Sequence, residues 1–249
     1  MGRIKSGIGG LDEQIGGGFE KGSIIEVAGS EGTFKSTFGI QFAAEGARNG
    51  EKVTYVSFEE PKASFEATAK ILGLEKEFAK INFVNIDIND FIEDSGLAVF
   101  STSGTEELAK KIIKILDTPS RLVFDTATTL ALYSSRTRVK GVGDRNWSFV
   151  RPSPGDARIM LYYLANELRK KEGCTTIFLA ESGEGELYLP EEVLKYICDA
   201  KIELKKSGLG TRTPRSLQIL KMRHTDHALD EQPMSLTKKG LVVERIEEL

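Results

Sequence analysis

Residues 29–37, GSEGTFKST, have the composition of a loop that binds phosphate groups. In the pattern G-x-x-x-x-G-K-[ST], backbone N–H groups surround the phosphate oxygens, the Lys reaches the outer phosphate and the hydroxyl reaches Mg²⁺. Gly29, Lys35 and Ser36 fit this pattern, but Phe34 stands where its last Gly should be. The candidate ligand-binding residues of the loop are Gly29, Ser30, Glu31, Gly32, Thr33, Phe34, Lys35, Ser36 and Thr37.

Phe34 is expected to change the loop without removing a phosphate contact, because Phe supplies the same backbone N–H as Gly. If this position needs a positive φ, a bulky residue there is strained by about 1–3 kcal/mol. A predicted strand precedes the loop and a predicted helix follows it, so the helix N-terminus would add N–H groups and its positive dipole end. We therefore expect the loop to bind phosphate. A loop that has lost binding is the alternative.

Three carboxylates follow predicted strands, at the sheet edge where open α/β folds bind their ligands. Asp125 ends the apolar run RLVFD and is expected to hold Mg²⁺ together with Ser36. Glu59 and Glu60 follow the run VTYVSF, and one of them could orient an attacking water. Because adjacent carboxylates repel, we expect a cation or a proton near this pair. The alternative for Asp125 is a residue that caps a turn.

Short apolar runs alternate with helical patterns along most of the chain. The runs are IIEVA (24–28), VTYVSF (53–58), INFVNI (81–86), RLVFD (121–125) and TTIFLA (175–180). Apolar residues recur at helical spacing between them, in sets such as Phe38 and Phe42; Ala63, Ala67 and Ile71; Leu108, Ile112, Ile115 and Leu116; and Met160, Leu164 and Leu168. This order predicts an α/β fold with a mostly parallel sheet flanked by helices. After residue 199, AKIEL, SLQILKM and GLVVE predict antiparallel strands at one edge.

Several segments, in chain order, resemble the RecA superfamily, and more specifically KaiC and its archaeal single-domain relatives. They are GIGGLDEQIGGGFEKG (7–22), the phosphate loop, FEEP (58–61) and LQILKMRHTDH (217–227). The resemblance implies one RecA-like P-loop NTPase domain over residues 1–249, with ATP and Mg²⁺ as its ligands. It also implies a homo-oligomer, usually a hexameric ring, with nucleotides between neighbouring subunits, as closed heterologous contacts allow.

The same resemblance assigns catalytic roles to three side chains. A glutamate of the FEE pair activates the hydrolytic water, which implies Glu59 here, with Glu60 beside it. Lys35 is the candidate cation of the phosphate loop, since charge on a transferring phosphoryl group is stabilised by such cations. Phe34 puts the hydrolysis rate in more doubt than nucleotide binding.

Three further residues are implied to reach a nucleotide. Lys221 and Arg223 match a K-x-R segment that contacts the nucleotide of the neighbouring subunit, and His227 matches a histidine near the nucleotide. Since residues two apart in a strand share one face, both cations could point at one phosphate chain. Without the resemblance, an ordinary solvated strand face would explain them.

Composition is neutral about partners. The formal net charge is −3, so no overall field attracts nucleic acid. The segment 134–155 combines cations with Trp147, as channels for single-stranded DNA do, but a subunit-interface or lid loop is the favoured interpretation. Its cations are Arg136, Arg138, Lys140, Arg145 and Arg151. No apolar run is long enough to cross a membrane, so we expect a cytoplasmic protein.

The resemblance therefore implies a KaiC-like protein that binds ATP, hydrolyses it slowly and acts as an oligomeric switch for a protein partner that the sequence does not identify. A RadA-type ATPase that binds single-stranded DNA and an ATP sensor without turnover are the alternatives. Autophosphorylation is not expected, because Lys195 and Tyr196 occupy the place of the adjacent Ser-Thr pair in the clock kinase.

Overall fold

The computed structural model describes residues 2–87, 102–134, 137–140, 147–150, 154–183, 189–208 and 214–244. Strands occur along the whole of this part of the chain. In chain order they are β1 Arg3–Ile4, β2 Phe19–Glu20, β3 Ile24–Gly29, β4 Val53–Ser57, β5 Asn82–Asn85, β6 Arg121–Asp125, β7 Thr137–Lys140, β8 Trp147–Val150, β9 Thr175–Glu181, β10 Ala200–Lys206, β11 Arg215–Met222, β12 Gln232–Thr237 and β13 Gly240–Val243.

The central sheet contains nine of these described strands, in the order β13-β12-β11-β10-β3-β9-β6-β4-β5. The strands from β10 to β5 in this order run parallel to one another, and β11, β12 and β13 continue the sheet antiparallel. Two small antiparallel ribbons, β1 with β2 and β7 with β8, lie outside the central sheet. The predicted mostly parallel sheet with antiparallel C-terminal strands is thus confirmed.

Helices cover both faces of the central sheet. The described helices are α1 Leu11–Gln14, α2 Lys35–Arg48, α3 Lys62–Ile71, α4 Glu75–Phe78, α5 Thr102–Ile115, α6 Ala127–Ser134, α7 Pro154–Arg169 and α8 Leu189–Ile197. Buried residues of α2, α3 and α4 form one core cluster with the sheet, while those of α5 to α8 form a second. Within the described ranges, no helix combines the length and the apolar character needed to span a bilayer.

The inner parallel strands β3, β4, β6 and β9 are buried on both faces, because successive side chains point to opposite sides and helices cover both. In β6, Val123 belongs to the core on the α2 side, while its neighbours Leu122 and Phe124 belong to the core on the α7 side. Phe124 stacks on Phe178 of β9 with ring centroids 5.0 Å apart. This two-sided burial fixes the level at which each parallel strand ends, and so the position of the residues that follow it.

The strands at the C-terminal part of the chain differ from the prediction in two ways. AKIEL begins β10, which is antiparallel to β11 as predicted but also pairs in parallel with β3, through rungs such as Ala200 with Ile25. The helix α8 precedes this strand and makes the crossover that a parallel neighbour requires. The strand β12 escaped prediction because its sequence, QPMSLT, contains Pro233 and polar residues that hide the alternation.

Two other predictions need correction. The helix at 62–71 is present, but Ala63, Ala67 and Ile71 are exposed, whereas Phe65 and Ala69 make its buried contacts. The segment 134–155 is not a continuous irregular loop, because β7 and β8 form a hairpin within it. Its residues 135–136, 141–146 and 151–153 lie outside the described part of the chain, so its predicted interface, lid or DNA-binding role stays a prediction.

Candidate nucleotide-binding site

A cleft of about 360 Å³ opens at the carboxyl ends of the parallel strands. Its described lining residues are Glu31, Gly32, Phe34, Lys35, Ser36, Thr37, Ser57, Glu59, Glu60, Phe65, Asp125, Thr126 and Glu181. This is the edge where open α/β sheets bind their ligands. The cleft therefore brings together the phosphate loop, the adjacent glutamates and Asp125, which the sequence placed at the same edge.

The phosphate loop runs from the end of β3 to the start of α2. Gly29 is required by close packing, since a Cβ there would lie 2.7 Å from the carbonyl oxygen of Leu204 on β10. The buried Thr33 donates a hydrogen bond from its Oγ1 to the carbonyl oxygen of Ser30 at 2.8 Å. Gly29, Ser30 and Thr33 thus shape the loop, whereas its other candidate residues line the cleft.

Phe34 adopts the left-handed backbone conformation, with φ 74° and ψ 29°. This is the conformation in which a residue with a Cβ is strained and Gly is not. The sequence analysis predicts strain at Phe34 if its φ is positive. Since φ is positive here, that strain is present. The Phe34 ring is partly buried against the core that includes α2, so the loop closes over an apolar side chain at its base.

Lys35 is buried at the first position of α2 and points back into the loop. Its Nζ donates hydrogen bonds to the carbonyl oxygens of Gly29 at 2.8 Å and Ser30 at 3.1 Å. Burial lowers the pKa of Lys35, and the negative charges of Glu181 and Asp125 oppose this shift. The ammonium thus lies between the loop backbone and a group of carboxylates, where a phosphate oxygen could replace the carbonyl contacts.

Asp125, at the end of β6, is a buried carboxyl group with two hydroxyl partners. The Tyr55 hydroxyl donates a hydrogen bond to its Oδ2 at 2.6 Å, and the Ser36 side chain also bonds to it. Burial raises the pKa of Asp125 to about 6, while these hydrogen bonds oppose the rise. A divalent cation would favour the ionised form, and a carboxylate beside a hydroxyl is the hard oxygen ligand set that suits Mg²⁺.

Glu59 and Glu60 are held by different hydroxyl groups. Glu59 accepts hydrogen bonds from Thr129 and, at 3.3 Å, from Thr126, at the start of α6. Glu60 accepts from Ser64 in the first turn of α3. The repulsion expected between the two carboxylates is therefore offset by hydrogen bonds from hydroxyl groups, which hold Glu59 and Glu60 against different helices. The charge of Glu59 also opposes the lowering of the Lys35 pKa by burial.

The cleft contains residues that the sequence interpretation missed. Glu181 follows TTIFLA at the end of β9 and is the carboxylate with the largest electrostatic effect on Lys35. The strand-end argument used for Asp125 would have found Glu181 if the predicted strand had been extended by one residue. Thr126 and Thr129 gave no sequence signal, because hydroxyls at the start of a helix usually serve as local caps.

Lys221, Arg223 and His227 do not lie in the cleft of their own chain. Lys206 pairs with Arg215 at the cleft end of the β10–β11 ladder, and Lys221 lies about 20 Å farther along β11 at the usual rise of a strand. Lys221 donates to the carbonyl oxygens of Lys195 at 3.0 Å and Cys198 at 2.6 Å, at the C-terminus of α8.

Lys221 and Arg223 contact neighbouring residues, although Arg223 lies just beyond the end of β11. Arg223 contacts Asp199 at 3.1 Å, directly after the carbonyl that Lys221 binds. His227 is partly buried, and its Nδ1 lies 3.0 Å from the carbonyl oxygen of Ala228. If these side chains contact a nucleotide, that nucleotide belongs to another copy of the chain.

Comparisons with known proteins agree with the geometry. The family model described as ATPase: KaiC matches residues 4–142 and 148–248. A UPF0273 protein of Thermotoga maritima is 28% identical over 97% of this chain and 95% of its own length. The circadian clock protein KaiC3 of Synechocystis is 28% identical over 97% of this chain, which corresponds to 45% of KaiC3.

A solved structure gives the same result for the fold. The crystal structure of a KaiC-like protein from the hyperthermophilic archaeon Pyrococcus horikoshii matches 98% of this chain and 99% of its own chain, with 26% identity and a TM-score of 0.71. The predicted fold class, a RecA-like sheet with helices on both sides, is confirmed by this likeness.

Proposed function

Since the chain belongs to the KaiC family of ATPases, we propose that it acts as one domain that binds Mg-ATP in the cleft, hydrolyses it slowly and switches the state of an oligomer. Membership of this family implies nucleotide binding. The proposal rests on one observation: Lys35, Asp125 and Glu59 line the same cleft, at the N-terminus of α2. These side chains supply a phosphate-binding cation, a metal ligand and a candidate base.

The loop and α2 would bind the phosphate chain. Backbone N–H groups at a helix N-terminus attract negative charge, and Lys35 adds an ammonium beside them. Ser36 and Asp125 would hold Mg²⁺, which supplies positive charge to the phosphate oxygens when bound. To reach phosphate, Lys35 must exchange its bonds to the Gly29 and Ser30 carbonyls, which lowers the net contribution of this cation to nucleotide affinity.

Glu59 is the candidate that orients the attacking water. Its carboxylate is exposed at the cleft and is held by the hydroxyls of Thr126 and Thr129, so its direction is fixed before a ligand arrives. Glu60 lines the same cleft but bonds to Ser64 on α3. The two glutamates thus differ in anchoring, which supports Glu59 as the residue that acts on water and Glu60 as its neighbour.

The charge of the cleft supports a site shared between subunits. Among its described lining residues, Lys35 is the one cation; the carboxylates are Glu31, Glu59, Glu60, Asp125 and Glu181. A triphosphate adds further negative charge, so Mg²⁺ and outside cations are needed to balance it. Lys221 and Arg223 of a neighbouring copy are the candidates, with His227 close to the nucleotide. A contact of this heterologous kind closes into a ring, for which we propose a hexamer.

The test compares Glu59→Gln with Glu60→Gln as its matched control. Native mass and phosphate release are measured for each, with and without Mg-ATP. We expect Mg-ATP to promote an oligomer in all forms, and Glu59→Gln to lose turnover by about 10²-fold or more while it keeps ATP binding. Glu60→Gln should keep most of the turnover.

Other outcomes select other functions. An oligomer that forms with ATP but releases no phosphate in the wild type would favour an ATP sensor. A wild-type monomer that ignores millimolar Mg-ATP would overturn the proposal.

A further inference from the structure

A pair of cations lies at the cleft end of the β10–β11 ladder. Lys206 and Arg215 are direct cross-strand partners on the last rung that the two strands share. Like charges placed opposite each other in a sheet repel. Their presence on one rung therefore suggests that both interact with a common partner.

That partner is the phosphate loop. The Nζ of Lys206 donates a hydrogen bond to the carbonyl oxygen of Glu31 at 2.8 Å, and the Nε of Arg215 donates to the carbonyl oxygen of Gly32 at 3.1 Å. The two cations thus contact consecutive carbonyls of the loop from outside the cleft.

Arg215 also contacts the residue that departs from the loop pattern. Its guanidinium lies 4.2 Å from the centre of the Phe34 ring, within the range of a cation–π interaction. Phe34 and Gly32 both have positive φ, at 74° and 76°. Glycine adopts this conformation freely, but Phe34 does so only under restraint. Arg215 is placed to supply that restraint, because it contacts both the Phe34 ring and the carbonyl oxygen of Gly32.

We propose that Lys206 and Arg215 form a loop clamp, a pair of positioning residues that holds the phosphate loop open for nucleotide and compensates for Phe34 in place of glycine. The clamp deepens the proposed function in that it assumes a loop that receives Mg-ATP. It would govern nucleotide affinity and not the hydrolytic step, since neither cation lines the described cleft. A glycine in place of Phe34 should make the clamp unnecessary.

The test is a double-mutant cycle on the full chain, with Mg-ATP binding measured by isothermal titration calorimetry. The four forms are the wild type, Arg215→Gln, Phe34→Gly and the double variant. Lys205→Gln is the matched control, because Lys205 adjoins the clamp on β10 but its ammonium contacts Glu231 and Gln218. Arg215→Lys, which keeps the charge and loses the planar stack, checks that any loss does not come from misfolding.

We expect Arg215→Gln to raise the Kd of Mg-ATP about tenfold in the wild-type background and about twofold or less in the Phe34→Gly background. Arg215→Lys should lie between the wild type and Arg215→Gln. The kcat at saturating ATP should change by less than about twofold, since binding and not chemistry is affected. An equal loss in both backgrounds, or no loss in the wild type, would overturn the clamp.

A measurement without nucleotide separates the clamp from the proposed function. Amide hydrogen exchange over residues 29–37 should be about tenfold faster in Arg215→Gln than in the wild type, and unchanged in Lys205→Gln. Unchanged exchange in Arg215→Gln would overturn the clamp even in a protein that binds Mg-ATP. Faster exchange in a protein that fails to bind Mg-ATP would support the clamp and overturn the proposed function.

Discussion

The cleft lining and the amino end of the β10–β11 ladder differ in local charge. At the carboxyl ends of the parallel strands, one ammonium, Lys35, faces several carboxylates within the described lining of the cleft. At the amino ends, Arg169 and Arg223 both contact Asp199, at 3.3 and 3.1 Å, with Lys221 beside them. Carboxylates outnumber cations in the described lining of the cleft, whereas three cations lie around Asp199 at the amino end. This difference supports the proposal that one copy provides only part of the phosphate site.

The largest expected effect comes from removing a cation at the amino end. We expect Arg223→Gln to lower ATP hydrolysis by roughly 10³-fold, since a cation supplied in trans to a phosphoryl group contributes on that scale. ATP binding should fall much less, because the cleft itself is intact. Phosphate release and calorimetric binding together check this. Arg169→Gln is the control: it also loses a contact with Asp199, and its hydrolysis should stay within about tenfold of wild type.

A substitution of the buried Asp125 tests the cleft alone, since it leaves the cations at the amino end unchanged. Asp125→Asn keeps an acceptor for Tyr55 and removes a charge that burial disfavours. At pH 7.5 we expect the free energy of unfolding without ligand to rise by about 1–3 kcal/mol, and the affinity for Mg-ATP to fall at least about tenfold. Urea unfolding and calorimetry measure these effects. A variant that loses stability and keeps Mg-ATP affinity would contradict the assignment of Asp125 to the metal.

A smaller effect is expected from pH, and its sign follows from the same group. Because burial raises the pKa of Asp125 to about 6 in the folded protein, the folded state binds this proton more tightly than the unfolded state. The contribution of Asp125 to stability is therefore fully present below about pH 4 and is lost as pH rises through about 6. The difference in unfolding free energy between wild type and Asp125→Asn should follow this window. A difference independent of pH between 4 and 7 would contradict it.

The sequence predicted the parts of the site that depend on strand ends. Apolar runs buried on both faces are easy to recognise, and each places its last residue at a known sheet edge, so the sequence alone predicts that Asp125 and Glu59 lie at one edge. The same argument stopped one residue short of Glu181. The phosphate loop was identified by residue type, and the strain at Phe34 became definite only when φ was known.

Other features depend on contacts that no local pattern encodes. The Tyr55 bond to Asp125 joins two strands, and the loop clamp joins a distant hairpin to the loop. The α3 face was predicted wrongly, because alanines at helical spacing are compatible with either face and Phe65, the larger apolar side chain, determined which one is buried. Tertiary packing determines these features, and it depends on contacts between residues that are far apart in the sequence.

The central claim, a site shared between copies, is tested most directly by mixing two inactive variants. Lys35→Met removes the cation of the cleft, and Arg223→Gln removes the cation proposed to come from the neighbour. In an equal mixture that forms mixed oligomers, about one interface in four would combine an intact cleft with an intact Arg223. We predict that this mixture regains up to about a quarter of the wild-type rate of phosphate release, although each variant alone is inactive. Mixed oligomers that show no more hydrolysis than the separate variants would contradict the claim.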